Sequence, residues 1–122
     1  MKILGLHHAQ ITVPKDKEPA AKAFYCGVLG LPEIPKPESL KSRPGFWVQA
    51  GDRQVHVRLE DGVDRTATQA HLAYEVDDVN AWRKKLIDAG ISTLDSIPIE
   101  GFERFEFRDP FGNRVEFISA IA

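Results

Sequence analysis

The sequence predicts an α+β fold built from two βαβββ modules that together form an eight-stranded, cup-like sheet, and three observations carry that prediction. The stretches HAQITV (residues 8–13) and HLAYEV (residues 71–76) are written alike. Each opens on a histidine and then sets an apolar residue at every second place, Ala9, Ile11 and Val13 in one, Leu72, Tyr74 and Val76 in the other. That period of two is the mark of a strand with one buried face. Each stretch is followed by a helical stripe that ends on glycine, and each half closes on two alternating runs joined by a turn.

After the first strand, Ala21, Phe24, Tyr25 and Val28 recur at the spacing of one helical face, with Pro19 suited to the first turn and Gly30 to the stop. The segment PEIPKPESLKSRPG comes next and is too rich in proline for a central strand. The first half ends in a hairpin, GFWVQAGDRQVHVRLE, turning at Gly51-Asp52. The polar stretch DGVDRTATQ joins the halves near residues 61–69. In the second half Val79, Trp82, Leu86 and Ala89 form the stripe, an aspartate offers the N-cap and Gly90 ends the helix. STLDSIPIEG then leads to a second hairpin, RFEFRDPFGNRVEFI, turning at DPFGN. A module of about 60 residues buries too little surface to be comfortable alone. The chain therefore reads as one domain, residues 1–122, made of two modules at about 1–60 and 70–120.

With 43% apolar residues, 28% charged residues and a formal charge of −2, the chain lacks the basic excess of a nucleic-acid binder. No apolar run is long enough to span a bilayer. The N-terminus, MKILGLHHAQ, has neither the long apolar core nor the small-residue cleavage site of a signal peptide. The single cysteine, Cys26, excludes an internal disulfide framework and reads as a small core filler. These features predict a cytoplasmic protein with no nucleic-acid or membrane partner.

Strand alternation also assigns the faces. The face opposite the helices carries His8, Gln10, His56, Arg58, His71, Glu75, Arg104, Glu106 and Glu116. His7 falls on the helix-packing side by the same rule and reads as a core histidine. The repeat relates His8 to His71 and His56 to Glu116, so equivalent strands supply four groups of metal-binding type. If the modules meet about a pseudo-twofold axis, those four converge. Arg58 and Arg104 are of the type that grips a carboxylate or phosphate, or else pair with Glu75 and Glu106 in a structural ion network. Trp47 and Phe102 are candidate pocket walls.

Taken in order and spacing, LHHAQITVP, AFYCGVLGL, AHLAYEVDDVNAWRKKLIDAG and FRDPFGNRVEF resemble the signature segments of the vicinal oxygen chelate superfamily. That superfamily includes glyoxalase I, fosfomycin resistance enzymes, bleomycin resistance proteins and extradiol dioxygenases, and the resemblance covers nearly the whole chain. It implies the glyoxalase/bleomycin resistance/dioxygenase fold and a homodimer. It also implies a divalent metal ion (Zn, Ni, Mn or Fe) held by His8, His71 and Glu116, with His56 at the place of a fourth ligand. Glyoxalase I resembles a two-carboxylate site, with an acid where His56 stands here. With one carboxylate, a divalent ion keeps a net charge of about +1, which favours an anionic substrate.

The activity so implied is of lyase, isomerase or transferase type, on a small oxygen-rich, anionic substrate chelated by the metal. Glu116 and Glu106 are the candidate proton carriers, and Gln10, Arg58 and Arg104 the candidate substrate contacts. Two other functions stay open. One is a metal-free protein that sequesters a drug or metabolite, as bleomycin resistance proteins do. The other is a small dioxygenase using Fe(II) on a two-histidine, one-carboxylate face.

Overall fold

The computed structural model describes residues 1–121. It divides into two compact units, one ending at Val63 and the other beginning at Asp64. The division falls inside the polar stretch that the sequence marks as the link. No helix among the described residues is long and apolar enough to cross a membrane.

The first unit runs β1 (His8–Val13), α1 (Glu18–Lys22) with a π-helical continuation (Ala23–Val28), β2 (Glu33–Ile34), a 3-10 turn (Glu38–Leu40), β3 (Phe46–Ala50) and β4 (Arg53–Leu59). Its sheet has the order β1-β4-β3-β2. β1 lies parallel to β4, and the other pairs are antiparallel. The second unit runs β5 (His71–Glu75), α2 (Val79–Asp88), β6 (Thr93–Asp95), β7 (Phe102–Arg108) and β8 (Arg114–Ala120). Its sheet repeats the order, β5-β8-β7-β6, with β5 parallel to β8. The fold is thus α+β, with two four-stranded sheets of one topology. Both hairpins fall where the turn residues put them: β3 and β4 meet around Gly51, whose φ is +62°, and β7 and β8 meet around residues 109–113.

The irregular segments behave as proline dictates. Pro32 and Pro35 bracket β2, which is two residues long and lies at the edge of its sheet, where a missing amide proton costs no ladder bond. α2 is capped as its sequence suggests: the Asp78 side chain accepts from the amide of Ala81 at 3.0 Å, and Gly90 takes φ +84° beyond the last turn. Of its predicted stripe, Val79 and Leu86 are buried, Trp82 is half-buried and Ala89 is exposed, because Ala89 already stands at the C-cap.

The first helix departs from the predicted stripe. The amide of Leu29 donates to the carbonyl of Phe24, five residues back, so the turn is wider than that of an α-helix. The extra residue rotates the core face by one position. Ala21, Phe24 and Tyr25 are buried as predicted, but Leu29 rather than Val28 completes the apolar face.

Each core lies on the helix side of its sheet. In the first unit Val13, Tyr25, Phe46, Val48 and Val57 are fully or almost fully buried. In the second, Phe117 on β8 is met by the edges of Tyr74, Trp82, Phe105 and Phe107, with ring centroids 5.2–5.9 Å apart. Edge-to-face pairs of this kind add about 0.5–1.5 kcal/mol each beyond their buried area. They hold β8 firmly, and β8 carries Glu116.

Candidate functional site

The polar face of the first unit is built on β1, β3 and β4. Register places Gln10 and Trp47 on either side of His56, and His8 across from Gln54. Three rings then stack. Trp47 lies 3.7 Å from His56 with planes 2° apart, and His8 lies 4.1 Å from the other face at 16°. His56 is only 6% exposed. Its Nε2–H donates to Gln54 Oε1 at 3.0 Å, so Nδ1 keeps the lone pair. Burial above all, and then the neighbouring His8 and His7, push this imidazole down to about 4, which keeps it neutral near pH 7.

His7 is not a core residue. It is exposed, and its Nδ1 lies 3.0 Å from that of His8. β1 begins at His8, so strand alternation does not extend back to His7, and the rule that assigned it to the core has no hold there. The stacked rings open onto a cleft of about 290 Å³, whose lining includes Gln10 and Arg58 and, from the loop before β3, Lys36 and Arg43. No aspartate or glutamate lines it.

The polar face of the second unit is built on β5, β7 and β8. Glu106 and Glu116 stand directly opposite each other. Two facing carboxylates repel unless each finds a cation, and each does so on the diagonal, two residues along the partner strand. Arg104 Nη1 donates to Glu116 Oε1 at 3.1 Å, and Arg114 donates through Nε and Nη2 to Glu106 Oε2 at 3.0 and 2.5 Å. The pairing expected between Arg104 and Glu106 is thereby corrected to Arg104 with Glu116 and Glu106 with Arg114, because directly opposed positions on this hairpin carry like charges. Arg104 is fixed further by donating Nε and Nη2 to the carbonyl of Ile97. Phe102, expected as a wall, is an exposed residue at the start of β7, and Glu75 is exposed at the end of β5.

His71 completes this cluster. Its Nδ1–H donates to the carbonyl of Gln69 at 3.0 Å, and its Nε2 faces Glu116 Oε1 at 3.3 Å. When the ring is neutral, these are two lone pairs aimed at each other. A proton or a metal cation between them supplies the missing positive charge. Two ligands that each stand about 2.0–2.2 Å from one ion lie about 3 Å apart. An imidazole whose second nitrogen is tied to a backbone carbonyl is the usual form of a metal-binding histidine. His71 and Glu116 therefore fit a divalent cation in spacing and in donor chemistry. Among the described residues each unit brings together two of the four predicted ligands, His8 with His56 and His71 with Glu116, and neither unit assembles three.

Cys26 is half-buried, and burial raises its thiol above the ordinary value, followed by the charge of Glu33. That suits the filler role rather than a nucleophile.

With both faces described, the class of protein follows. Residues 5–117 match the model of the Glyoxalase/Bleomycin resistance protein/Dioxygenase superfamily, and the chain belongs to that superfamily. A crystal structure of a protein assigned to the glyoxalase family from Bacillus anthracis is 37% identical, with a TM-score of 0.90 over 99% of this chain and 98% of that one. Two more distant structures share the fold. A fosfomycin resistance protein from Listeria monocytogenes, complexed with Mn(II) and sulfate, is 15% identical with a TM-score of 0.78 over 98% of this chain and 93% of that one. The lactoylglutathione lyase of Agrobacterium tumefaciens is 19% identical with a TM-score of 0.73 over 98% and 96%. No curated protein matches the chain significantly.

Proposed function

We propose that this protein is a divalent-metal-dependent enzyme of lyase, isomerase or transferase type, acting on a small, oxygen-rich anion. The observation that carries this reading is His71 Nε2 facing Glu116 Oε1 at 3.3 Å, with the other ring nitrogen tied to a carbonyl and the Glu116 side chain only 7% exposed. His8, His56, His71 and Glu116 are the proposed ligands. His56 would bind through Nδ1, since Nε2 is engaged by Gln54. The superfamily includes a member solved with Mn(II), which supports a divalent ion without choosing among Zn, Ni, Mn and Fe.

The chemistry a bound ion supplies is that of a Lewis acid, which stabilises oxyanion character on a chelated substrate. The chain's own residues do the rest. Arg104 steadies Glu116 and adds positive charge beside it, so negative charge arriving on a substrate is favoured there. Glu106 keeps Oε1 as the oxygen open to hold or release a proton, because Arg114 occupies Oε2. Gln10 and Arg58 stand on the His56 face of the first unit, where Gln10 offers an amide and Arg58 a guanidinium to substrate oxygens.

Elemental analysis of the purified protein, followed by chelation and reconstitution, tests the reading. About one equivalent of a divalent metal per chain, with activity lost on chelation and regained with the ion, is the expected result. A protein that holds no metal and takes none up overturns it. One observation favours a second reading, a metal-free binding protein of the bleomycin-resistance type: the arginines already neutralise both buried-face carboxylates. The same metal analysis separates the two. The protein is further proposed to be a homodimer, with the two modules forming one domain.

A further inference from the structure

The chain carries a formal charge of −2, yet the cleft of the first unit is lined by Lys36, Arg43 and Arg58 and by no acid. Of its histidines, the buried His56 is held neutral near pH 7. The three cations are not equivalent. Lys36 is spent on structure: its ammonium donates to the carbonyls of Arg43 and Gly45, the latter at 3.0 Å. Among the described residues the guanidinium groups of Arg43 and Arg58 make no hydrogen bond or ion pair. An unpaired guanidinium offers five donors in a plane suited to a carboxylate or phosphate.

The loop between β2 and β3 is built to bring these two arginines to one place. Gly45 takes φ +103°, and a Cβ there would lie 2.3 Å from the carbonyl oxygen of Val57 and 3.4 Å from the Cα of Arg58. The loop backbone therefore rests directly on β4 at Arg58. The amide of Gly45 donates to Glu18 Oε1 at 3.1 Å, and Lys36 ties the loop from the other side. Arg43, two residues before Gly45, thus lines the same cleft as Arg58, on a loop fixed by contacts that do not use the Arg43 side chain.

We infer that Arg43 and Arg58 are a two-guanidinium receptor for one oxyanion group of the ligand (a carboxylate, phosphonate or phosphate) and that Lys36 is the positioning residue that latches the loop carrying Arg43. This deepens the reading of the protein as acting on a small anion, and rests on that reading for its biological sense. It does not depend on a metal.

The test uses the full-length protein, freed of metal with a chelator, and titrates it with methylphosphonate, sulfate and acetate at constant ionic strength, with chloride as control. Amide and indole resonances of Gly45 and Trp47 are followed by two-dimensional NMR. Saturable shifts at these residues are expected with the oxyanions and not with chloride. Arg43→Gln and Arg58→Gln should each weaken binding about tenfold, the loss of one charge-assisted contact. Lys36→Gln should weaken it with both arginines intact, and should broaden or move the Gly45 amide before any anion is added. Oxyanion shifts no larger than those with chloride, or equal affinity in wild type and both arginine variants, overturn the inference. Metal content, measured separately, keeps the two proposals apart: metal without anion binding sinks only this one, and anion binding without metal sinks only the other.

Discussion

Replacing Glu116 by glutamine separates a metal ligand from a structural acid. Glutamine keeps the shape of the side chain and an oxygen that can still accept from Arg104, but it removes the charge. Glu116 is 5% exposed, and its Oε1 receives Arg104 at 3.1 Å. A hydrogen bond to a charged group contributes about 1.5–3 kcal/mol and a neutral one about 1. The expected loss is therefore about 0.5–2 kcal/mol, with Arg104 still held by the Ile97 carbonyl. That is well below the roughly 5–15 kcal/mol that keeps a domain folded. Metal affinity should suffer far more. Loss of an outer partner of a ligand costs about 10–100-fold, and loss of the anionic ligand itself should exceed that range. Urea unfolding of the metal-free protein reads the first quantity, competition with a chromophoric chelator reads the second, and turnover follows the second. If the variant keeps its metal and its activity, Glu116 is not a ligand. If stability falls by more than about 4 kcal/mol, the residue is chiefly structural and the site assignment is wrong.

Gly45→Ala should destabilise the first unit by about 2 kcal/mol or more, since alanine is strained at positive φ and its Cβ would press on the Val57 carbonyl; an unchanged urea midpoint refutes this. His56, held down to about 4 in the fold from an ordinary 6.5, contributes stability that is fully present above about pH 6.5 and is lost as pH falls towards 4, because the unfolded chain takes up the proton first. In metal-free protein, His56→Leu should flatten the stability–pH curve in that window, and an unaltered slope counts against the buried neutral ring. His56→Ala should lower metal affinity if Nδ1 is a ligand; unchanged affinity rejects the ligand role, and unchanged turnover as well rejects any part in the reaction. The protein should have about twice its 13.7 kDa chain mass in light scattering at micromolar concentration, and a monomeric mass refutes the dimer.

The fold was legible because it is written twice. Two copies of an alternating strand, a striped helix and a turn-joined hairpin constrain each other, and the two sheets share one strand order. What escaped notice lies where local pattern stops determining geometry. The widened turn at Ala23–Val28 leaves no trace in a stripe that is compatible with an ordinary helix up to Tyr25. His7 lies one residue before β1, where strand alternation no longer determines the direction of a side chain. For the site, alternation brought His8 to His56 and His71 to Glu116, since neighbouring strands put same-face residues side by side. It did not find Arg114 as the partner of Glu106, a diagonal pairing that only the register decides. Nor did it find Lys36 and Arg43, which lie in an irregular loop with no period to read.

The widened first helix bears on how relatives of this chain should be lined up. A helix that spends five residues where four would do holds one more residue than its path requires. Gly27 sits in that stretch, exposed, and apart from its chain neighbours and its own helix backbone nothing lies within 4 Å of where a Cβ would stand. Deleting it would bring Leu29 to a four-residue spacing from Phe24, which is the α-helical repeat. The buried face would survive and the helix would become regular. A relative that lacks this residue therefore need not have a different helix, and a one-residue gap here marks the same element in a narrower form.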